Sequence, residues 1–261
     1  MDNIKNNVNE AIASLNAIRD KIVEKGVEVA DGTKTRLYAN KVDDVYKAGE
    51  DSLWDAFQNN GTRDNYSYAF LQWGNLEYIR PKYKVVPTAA TGCYCIFNTN
   101  KSVKKIEAKY FDFSKKASGT GASGGYGYAF STCSQLEEIE DIGMIAQPSY
   151  SYAFAYSNKL HTIAKMGVDE NTVYGNTFAN CSALENITVE GTIGQNGFDI
   201  RWSTKLSADS LKSIINALST TTTGLTITLP KTAQANYEAM YGSGSWATLT
   251  ATRSNWTIAY A

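Results

Sequence analysis

Histidine, charge imbalance and long apolar stretches are scarce or missing in this chain of 261 residues. The one histidine, His161, nearly excludes zinc sites built on histidine and leaves a single candidate base for a serine or cysteine nucleophile. Lysine and arginine total 25 against 26 aspartates and glutamates, and this net charge of −1 argues against a generally basic nucleic-acid binder. No apolar run approaches the roughly 18 residues of a membrane-spanning helix. We therefore expect neither nucleic-acid binding nor membrane insertion.

Cysteine is also sparse, and the four cysteines lack the C-x-x-C spacing of a structural zinc site. They are too few, in a chain of this length, for a disulfide scaffold. The first ten residues, MDNIKNNVNE, place acidic and amide side chains where a secretion signal carries basic and then apolar ones. We therefore expect a protein without metal or cofactor, made in the cytoplasm without a signal peptide.

A repeat runs through the middle of the chain. Five phenylalanines mark it, and we call them the anchors: Phe70, Phe97, Phe130, Phe154 and Phe178. Counted from its anchor, every repeat has an apolar residue at position +6 and another at +9. The anchors are 27, 33, 24 and 24 residues apart. A period near 24 with variable insertions predicts a solenoid, in which each repeat buries its apolar side against its neighbours and the insertions form loops.

Tyrosines follow the same register, and seven of the 17 stand at position −4 or −2. The alternation at −4, −2 and 0 predicts a short strand leading to the anchor. We interpret these tyrosines as packing between repeats, with contact to a sugar or a protein as the alternative, since an aromatic ring with a polar tip suits both. Cys133 and Cys181 both stand at +3, where we expect a small, buried, weakly polar residue.

Residues 184–189 have the L-x-x-I-x-V form of a leucine-rich repeat strand. Its apolar positions are expected to point inward and the intervening positions outward, along one side of the repeats. The outward residues, which we predict to form a binding surface, are Tyr78, Arg80, Lys105, Glu107, Glu138, Glu140, Thr162, Ala164, Asn186 and Thr188. His161 stands beside this set and is expected to be an ordinary exposed residue.

Two of the repeats carry a family pattern. Residues 129–139 read A-F-x-x-C-S-x-L-E-x-I, and residues 177–187 follow the same pattern with Thr177 in place of the alanine. The pattern resembles BspA-like leucine-rich repeats, although cysteine is missing at +3 in three of the five repeats. Residues 54–70 and the stretch 206–259 resemble the two ends of a leucine-rich repeat protein common in phages and prophages of gut bacteria. The resemblance covers roughly residues 50–261.

The resemblance implies an α+β fold, namely an irregular leucine-rich repeat solenoid of about five repeats. Three parts are then expected: a helical attachment and oligomerisation segment over residues 1–50, the repeats over residues 51–202, and an α/β cap over residues 203–261. It also implies a virion-associated protein of the tail or fibre type.

The first 25 residues have apolar side chains at the a and d positions of a heptad, at Ile4, Val8, Ala11, Leu15, Ile18 and Ile22. One interpretation is an amphipathic helix packed on its own domain, and the other is a short coiled coil that makes a homo-oligomer. A second helix is predicted near residues 35–48. Residues 17–42 resemble the helical modules at the N-termini of phage tail and fibre proteins, which implies attachment to other virion proteins. A helical cap over the first repeat is the alternative.

The C-terminal stretch 203–261 predicts alternating helices and strands. Ser207 is a suitable N-cap for a helix whose apolar face carries Leu211, Ile214, Ile215 and Leu218. A strand is predicted over residues 225–229, a helix near 232–240 and a final strand over 256–260.

Two motifs that suggest chemistry are better explained without it. Residues 119–124 match G-x-G-x-x-G, but the repeat motif follows where a Rossmann turn needs a helix, so we interpret them as a flexible insertion. The acidic residues Glu137, Glu138, Glu140 and Asp141 would lie along one strand rather than across a cleft. A solvated acidic stripe is the favoured interpretation, and weak Ca²⁺ binding is the alternative.

The sequence therefore predicts a non-catalytic binding protein of a phage virion. Its repeats would present a surface to a receptor or polysaccharide on the host, or to a host-surface protein. A structural decoration or collar protein, whose repeats contact other virion proteins, is one alternative. A bacterial surface adhesin of the BspA type is another, and an enzyme is a third.

Overall fold

The computed structural model describes residues 65–72, 77–81, 84–115, 125–143 and 148–261. By its internal contacts the chain divides into two compact units, residues 1–62 with 80–83, and residues 63–79 with 84–261. Arg80 and Pro81 are the described residues of the first unit. The predicted heptad, the second N-terminal helix and the G-x-G-x-x-G motif lie outside the described residues.

Four of the five repeats contribute one strand each to a parallel sheet. The strands are β1 (Lys105–Ile106), β2 (Glu138–Ile139), β3 (Thr162–Val168) and β4 (Asn186–Gly191), hydrogen-bonded in the order β1-β2-β3-β4. Equivalent residues pair, so that the isoleucines at +9 form one continuous row, buried to 2 % exposure or less: Ile106, Ile139, Ile163 and Ile187. The predicted inward position at +9 is confirmed.

The anchors form the centre of the core. All five phenylalanine side chains are fully buried, and the rings stack in sequence along the repeats. Their centroids are 4.9, 5.5, 5.8 and 5.5 Å apart, with interplanar angles of 9–21°. Each aromatic contact adds about 0.5–1.5 kcal/mol beyond the burial of its area, so the stack ties each repeat to the next.

The segment around each anchor is a succession of turns, and the predicted short strand is wrong. At −2 and +2 in all five repeats, ten non-glycine residues have φ between 51° and 63°, which is the left-handed region and not an extended one. Alternate N–H groups donate to the next repeat, as Phe70 N does to Ile96 O at 2.8 Å. The N–H groups between them close turns within the repeat, as Ala69 N does to Tyr66 O at 2.9 Å. The period of two in the sequence therefore comes from this alternation of hydrogen bonds.

The long spacing between the second and third anchors contains a further piece of core. Phe111 and Phe113, the latter opening a short 3-10 helix over Phe113–Lys115, are both buried. The Phe111 ring lies 5.4 Å from that of Phe97, and the Phe113 ring lies 6.0 Å from that of Phe130. The first part of this insertion thus packs into the repeats.

The C-terminal stretch has the predicted alternation, with one helix more than expected. Its elements are α1 (Ala208–Ala217), β5 (Leu225–Leu229), α2 (Ala233–Tyr241), α3 (Ser245–Ala251) and β6 (Trp256–Tyr260). Strands β5 and β6 pair in parallel. The Ser207 side chain accepts a hydrogen bond from Ser210 N, which confirms the predicted N-cap of α1. Helix α3 was not predicted from the sequence.

Helix α1 covers the free edge of β4. The Ser210 hydroxyl accepts a hydrogen bond from Ile187 N at 2.9 Å and donates to Glu185 O at 3.0 Å. One turn later, the Ser213 hydroxyl accepts from Val189 N at 2.8 Å. Two serines of a helix thus take the place of the next strand, and the edge presents no unpaired donors at these residues.

The described residues therefore combine parallel sheets with helices, an α+β composition. Within these residues, no helix is both long and apolar enough to cross a bilayer.

Candidate functional site

The predicted outward residues of the strands form what we call the strand face. Pairing aligns Tyr78, Lys105, Glu138, Thr162 and Asn186 as one row across the sheet. Tyr78, Ala164, Asn186 and Thr188 are exposed, and Lys105, Glu107, Glu138, Glu140 and Thr162 are half-buried. Arg80 is exposed but belongs to the first compact unit. The role of these residues in binding stays a prediction.

Charged groups on the strand face are paired with one another. Lys105 Nζ lies 3.2 Å from a Glu138 oxygen and 2.7 Å from a Glu140 oxygen. The hydrogen bond from Lys105, together with one from Ala108 N–H, holds the pKa of Glu140 below its usual value. Lys104 pairs with Glu77 at 2.8 Å in the same way. Two carboxylates of the acidic run, Glu138 and Glu140, therefore share one lysine of the preceding repeat.

The strand face ends in a shallow depression where β3 and β4 meet α1. Its volume is about 180 Å³, and its lining includes Ala164, Asn186, Thr188 and Asp209. The side chain of His161 is exposed as predicted, and its Nδ1 lies 2.9 Å from the hydroxyl oxygen of Thr162. Among the described residues, no group of three or more histidines, cysteines, aspartates and glutamates is arranged to hold a metal ion.

The tyrosines divide into an inner and an outer row. The inner row stands at −4 and is buried, which confirms the predicted packing between repeats: Tyr66, Tyr126, Tyr150 and Tyr174. Tyr126 and Tyr150 stack at 4.9 Å and donate hydrogen bonds to Ile142 O at 2.6 Å and to Gly167 O at 2.7 Å. Burial raises the pKa of both hydroxyls well above the usual value for tyrosine. These two tyrosines have no access to a ligand.

The outer row stands at −2 and lies at the surface, where Tyr68 is 52 % exposed and Tyr128 and Tyr152 are half-buried. The predicted packing between repeats thus holds for Tyr128 and Tyr152, but outside the core. All three tyrosines have a left-handed backbone, with φ between 53° and 61°. Tyr128 and Tyr152 stack with centroids 4.9 Å apart and an interplanar angle of 3°. Tyr152 OH also accepts a hydrogen bond from Asn176 Nδ2, the equivalent residue of the next repeat, at 2.9 Å.

Tyr94 completes the outer row where the register has a cysteine. Cys95 stands at −2 in the second repeat and is buried, and Tyr94 lies between the rings on either side. Its centroid is 5.4 Å from that of Tyr68 and 6.2 Å from that of Tyr128, both edge-to-face. Burial, Cys95 and Tyr68 together raise the pKa of Tyr94 to about 12. The register does not mark this residue, because it stands one position out of step.

A second surface row stands at +2, with the same left-handed backbone. Its members are Gln72, Thr99, Thr132, Tyr156 and Asn180. We call the rows at −2 and +2, with Tyr94 in place of the buried Cys95, the turn face. Tyr68 and Tyr156 are its most exposed tyrosines, at 52 % each. Position +2 was not among the predicted surface positions, although its polar character is visible when the five repeats are aligned on their anchors.

Position +3 supplies a hydrogen bond that links successive repeats. Here the side chain of each repeat donates to the anchor carbonyl of the repeat before it: Asn100 to Phe70 at 3.3 Å, Cys133 to Phe97 at 3.0 Å, Ser157 to Phe130 at 2.6 Å, and Cys181 to Phe154 at 3.0 Å. All four donors are buried, as predicted for the two cysteines. Asparagine, serine and cysteine replace one another here because each provides a donor in a small volume.

Comparison of this chain with protein-family models, with curated proteins and with solved structures found no match in any of the three.

Proposed function

We propose that this chain is a non-catalytic, virion-associated phage protein whose repeats form an irregular leucine-rich repeat solenoid and adhere to the host surface. The observation that carries the proposal is the register of the repeats. Because equivalent residues pair from β1 to β4, surface side chains form continuous rows instead of a single pocket. Rows of this kind suit a long, repetitive ligand such as a polysaccharide.

Adhesion would come from many weak contacts. Each repeat offers a few surface side chains, and several copies of the chain on one virion would bind the same cell together, which multiplies the overall affinity without any new contact. In this proposal residues 1–50 attach the chain to other virion proteins and join the copies through the predicted heptad. The phage context comes from the resemblance of residues 54–70 and 206–259.

The pairing of the acidic residues supports adhesion over glycoside hydrolysis. A hydrolase needs two carboxyl groups that face each other across its substrate. Glu138 and Glu140 instead share one lysine, with contacts of 3.2 and 2.7 Å. Measurable glycan hydrolysis that is lost in Glu138→Gln or Glu140→Gln would contradict the proposal.

The test begins with the phage particle and its host. Mass spectrometry of purified virions should detect the chain, and a particle reconstruction should place the repeats at an exposed position on the tail or fibre. The purified, fluorescently labelled chain should bind host cells and compete with the phage for adsorption. Absence from virions, or no binding to host cells, would overturn the proposal, and repeats covered by other virion proteins would support a decoration or collar protein instead.

The oligomer is tested separately. Light scattering should give a multiple of 28.6 kDa for the full chain and the monomer mass for a version that lacks residues 1–30. An unchanged state of association would remove the predicted coiled coil.

A further inference from the structure

The turn face and the strand face differ in charge. Ten residues occupy positions −2 and +2 of the five repeats, and all are uncharged: Tyr68, Cys95, Tyr128, Tyr152, Asn176, Gln72, Thr99, Thr132, Tyr156 and Asn180. The strand face carries charged residues that already form ion pairs, since Lys105 binds both Glu138 and Glu140. A ligand on the strand face would have to compete with these ion pairs, whereas the turn face requires no pair to be broken.

The turn face is also rigid. Its residues at −2 and +2 are held at φ between 51° and 63° by turns that hydrogen-bond to the next repeat, as in Tyr128 N to Ser151 O at 3.0 Å. The rings of Tyr68, Tyr94, Tyr128 and Tyr152 contact one another in sequence, at centroid distances of 5.4, 6.2 and 4.9 Å. Side chains that are already ordered lose little entropy when a ligand binds. Antibody binding loops are likewise rich in tyrosine, serine and asparagine, because tyrosine gives a rigid contact area and the small polar residues give adaptable hydrogen bonds.

The polar tips of the turn face can both donate and accept hydrogen bonds. Tyr152 OH accepts from Asn176 Nδ2 at 2.9 Å, which leaves its own proton to donate to an outside acceptor. The half-exposed rings of Tyr68 and Tyr156 offer apolar faces beside these polar groups. A sugar ring has the complementary chemistry, with hydroxyl groups at its rim and C–H groups on its faces. A charged polymer would find no opposite charge in either row.

From the charge, rigidity and hydrogen-bonding groups of these rows, we propose that the turn face is the ligand-contacting surface and that its ligand is an uncharged polysaccharide lying along the repeats. This inference rests on the proposed role in host adhesion and assigns that role to a different surface from the strand face that the sequence predicted.

The decisive experiment compares uncharged with anionic polysaccharides, and substitutions on the turn face with substitutions on the strand face. Polysaccharides extracted from host cells are divided by anion exchange into an uncharged and an anionic fraction, and the full chain is run by affinity electrophoresis through gels that contain each. We expect the uncharged fraction to retard the chain. Substituting both Tyr128→Asn and Tyr152→Asn should weaken retardation at least about tenfold, as loss of central aromatic contacts does.

Asparagine is the matched substitution because Asn176 occupies the equivalent position with φ 51°, so the left-handed backbone is kept. The control variant carries Thr162→Ala and Asn186→Ala on the strand face and should be retarded like the original chain. Unfolding temperatures of both variants show whether the fold is intact. Tyr128→Phe with Tyr152→Phe, which keeps the ring stack and removes the hydroxyls, should bind with intermediate strength.

Three outcomes would overturn the inference. The first is retardation by the anionic fraction alone, or by neither fraction. The second is loss of retardation in the strand-face variant but not in the tyrosine variant. The third is a change of mass in light scattering for the tyrosine variant without a change in retardation, which would make the turn face a contact between copies. Binding of the labelled chain to whole host cells is scored separately, so adhesion can persist while this assignment fails.

Discussion

The hydroxyl of Ser157 donates a hydrogen bond of 2.6 Å to the carbonyl oxygen of Phe130, the anchor of the preceding repeat. The same hydroxyl accepts a hydrogen bond of 3.1 Å from Cys133 N. One fully buried side chain thus satisfies two backbone groups of its neighbour. Position +3 therefore joins the repeats through polar contacts, beside the stacked anchors that join them through apolar ones.

Removing this hydroxyl should destabilise the repeats. Ser157→Ala leaves the Phe130 carbonyl and Cys133 N–H without these bonds in the core, and a buried unsatisfied group costs about 1–3 kcal/mol. We expect the free energy of unfolding in urea to fall by about this amount. Ser157→Cys is the matched control, since cysteine is a donor at the same position in two other repeats. Equal stability of the alanine and cysteine variants would contradict the role assigned to the donor.

The thiols at +3 should be unreactive in the folded protein. Burial raises the pKa of both Cys133 and Cys181 to about 12, and the thiolate is the reactive form. At pH 8, we expect a disulfide reagent such as dithionitrobenzoate to leave both residues unmodified in the native chain and to modify them quickly in urea. Peptide mapping assigns the modified sites. Rapid labelling of Cys133 without denaturant would show that the stack opens.

The serines of α1 should protect the edge of β4. In Ser213→Ala the amide of Val189 loses its acceptor, now at 2.8 Å, and we expect its hydrogen exchange to become faster. The exchange of Ile187, whose partner is Ser210, should change less. Lys212→Ala, at an exposed position of the same helix, is the control and should leave both rates unchanged. Measurement by NMR resolves the individual amides, and an unchanged Val189 rate would mean that Ser213 does not cap the edge.

The apolar register of the repeats was predictable because burial selects one kind of residue. Every described +6 and +9 residue is apolar and buried, so counting from the anchors is sufficient to find them. The turn geometry could not be predicted in this way, because tyrosine and threonine rarely adopt the positive φ that Tyr128 and Thr132 have. Their alternation with buried neighbours also matches the pattern expected of a strand.

Hydrogen-bonding roles were harder to predict than burial. Asn100, Ser157 and Cys181 share one donor function, but their side chains look unrelated in the sequence, so the repeats seemed less regular than they are. Tyr94 joins the turn face from a position outside the register, and only the packing around Cys95 places it there. The ion pairs of Lys105 likewise depend on which repeats are neighbours in the sheet.

Alkaline pH should unfold the repeats through their buried tyrosines and thiols. The folded pKa values of Tyr126 and Tyr150 lie well above 10.0, and those of Cys133 and Cys181 are about 12. In the unfolded chain, thiols ionise at about pH 8.5 and tyrosines at about pH 10. Since each folded pKa is raised, stability is fully present below the unfolded value and is lost as pH rises above it.

The free energy of unfolding is expected to fall steeply at alkaline pH because the contributions of several buried groups add. Each group that ionises only in the unfolded state lowers the free energy of unfolding by about 1.4 kcal/mol per pH unit. Urea denaturation between pH 7 and pH 11 should show a plateau, then a gradual fall as the thiols ionise, and a steeper fall once the tyrosines follow. Tyr126→Phe loses the hydrogen bond to Ile142 O and should be less stable at pH 7. In its steep phase, however, the free energy of unfolding should fall less steeply, by about 1.4 kcal/mol per pH unit, because one ionising group is missing. A slope identical to that of the unsubstituted chain would place the Tyr126 hydroxyl in contact with water, contrary to its buried position in the stack.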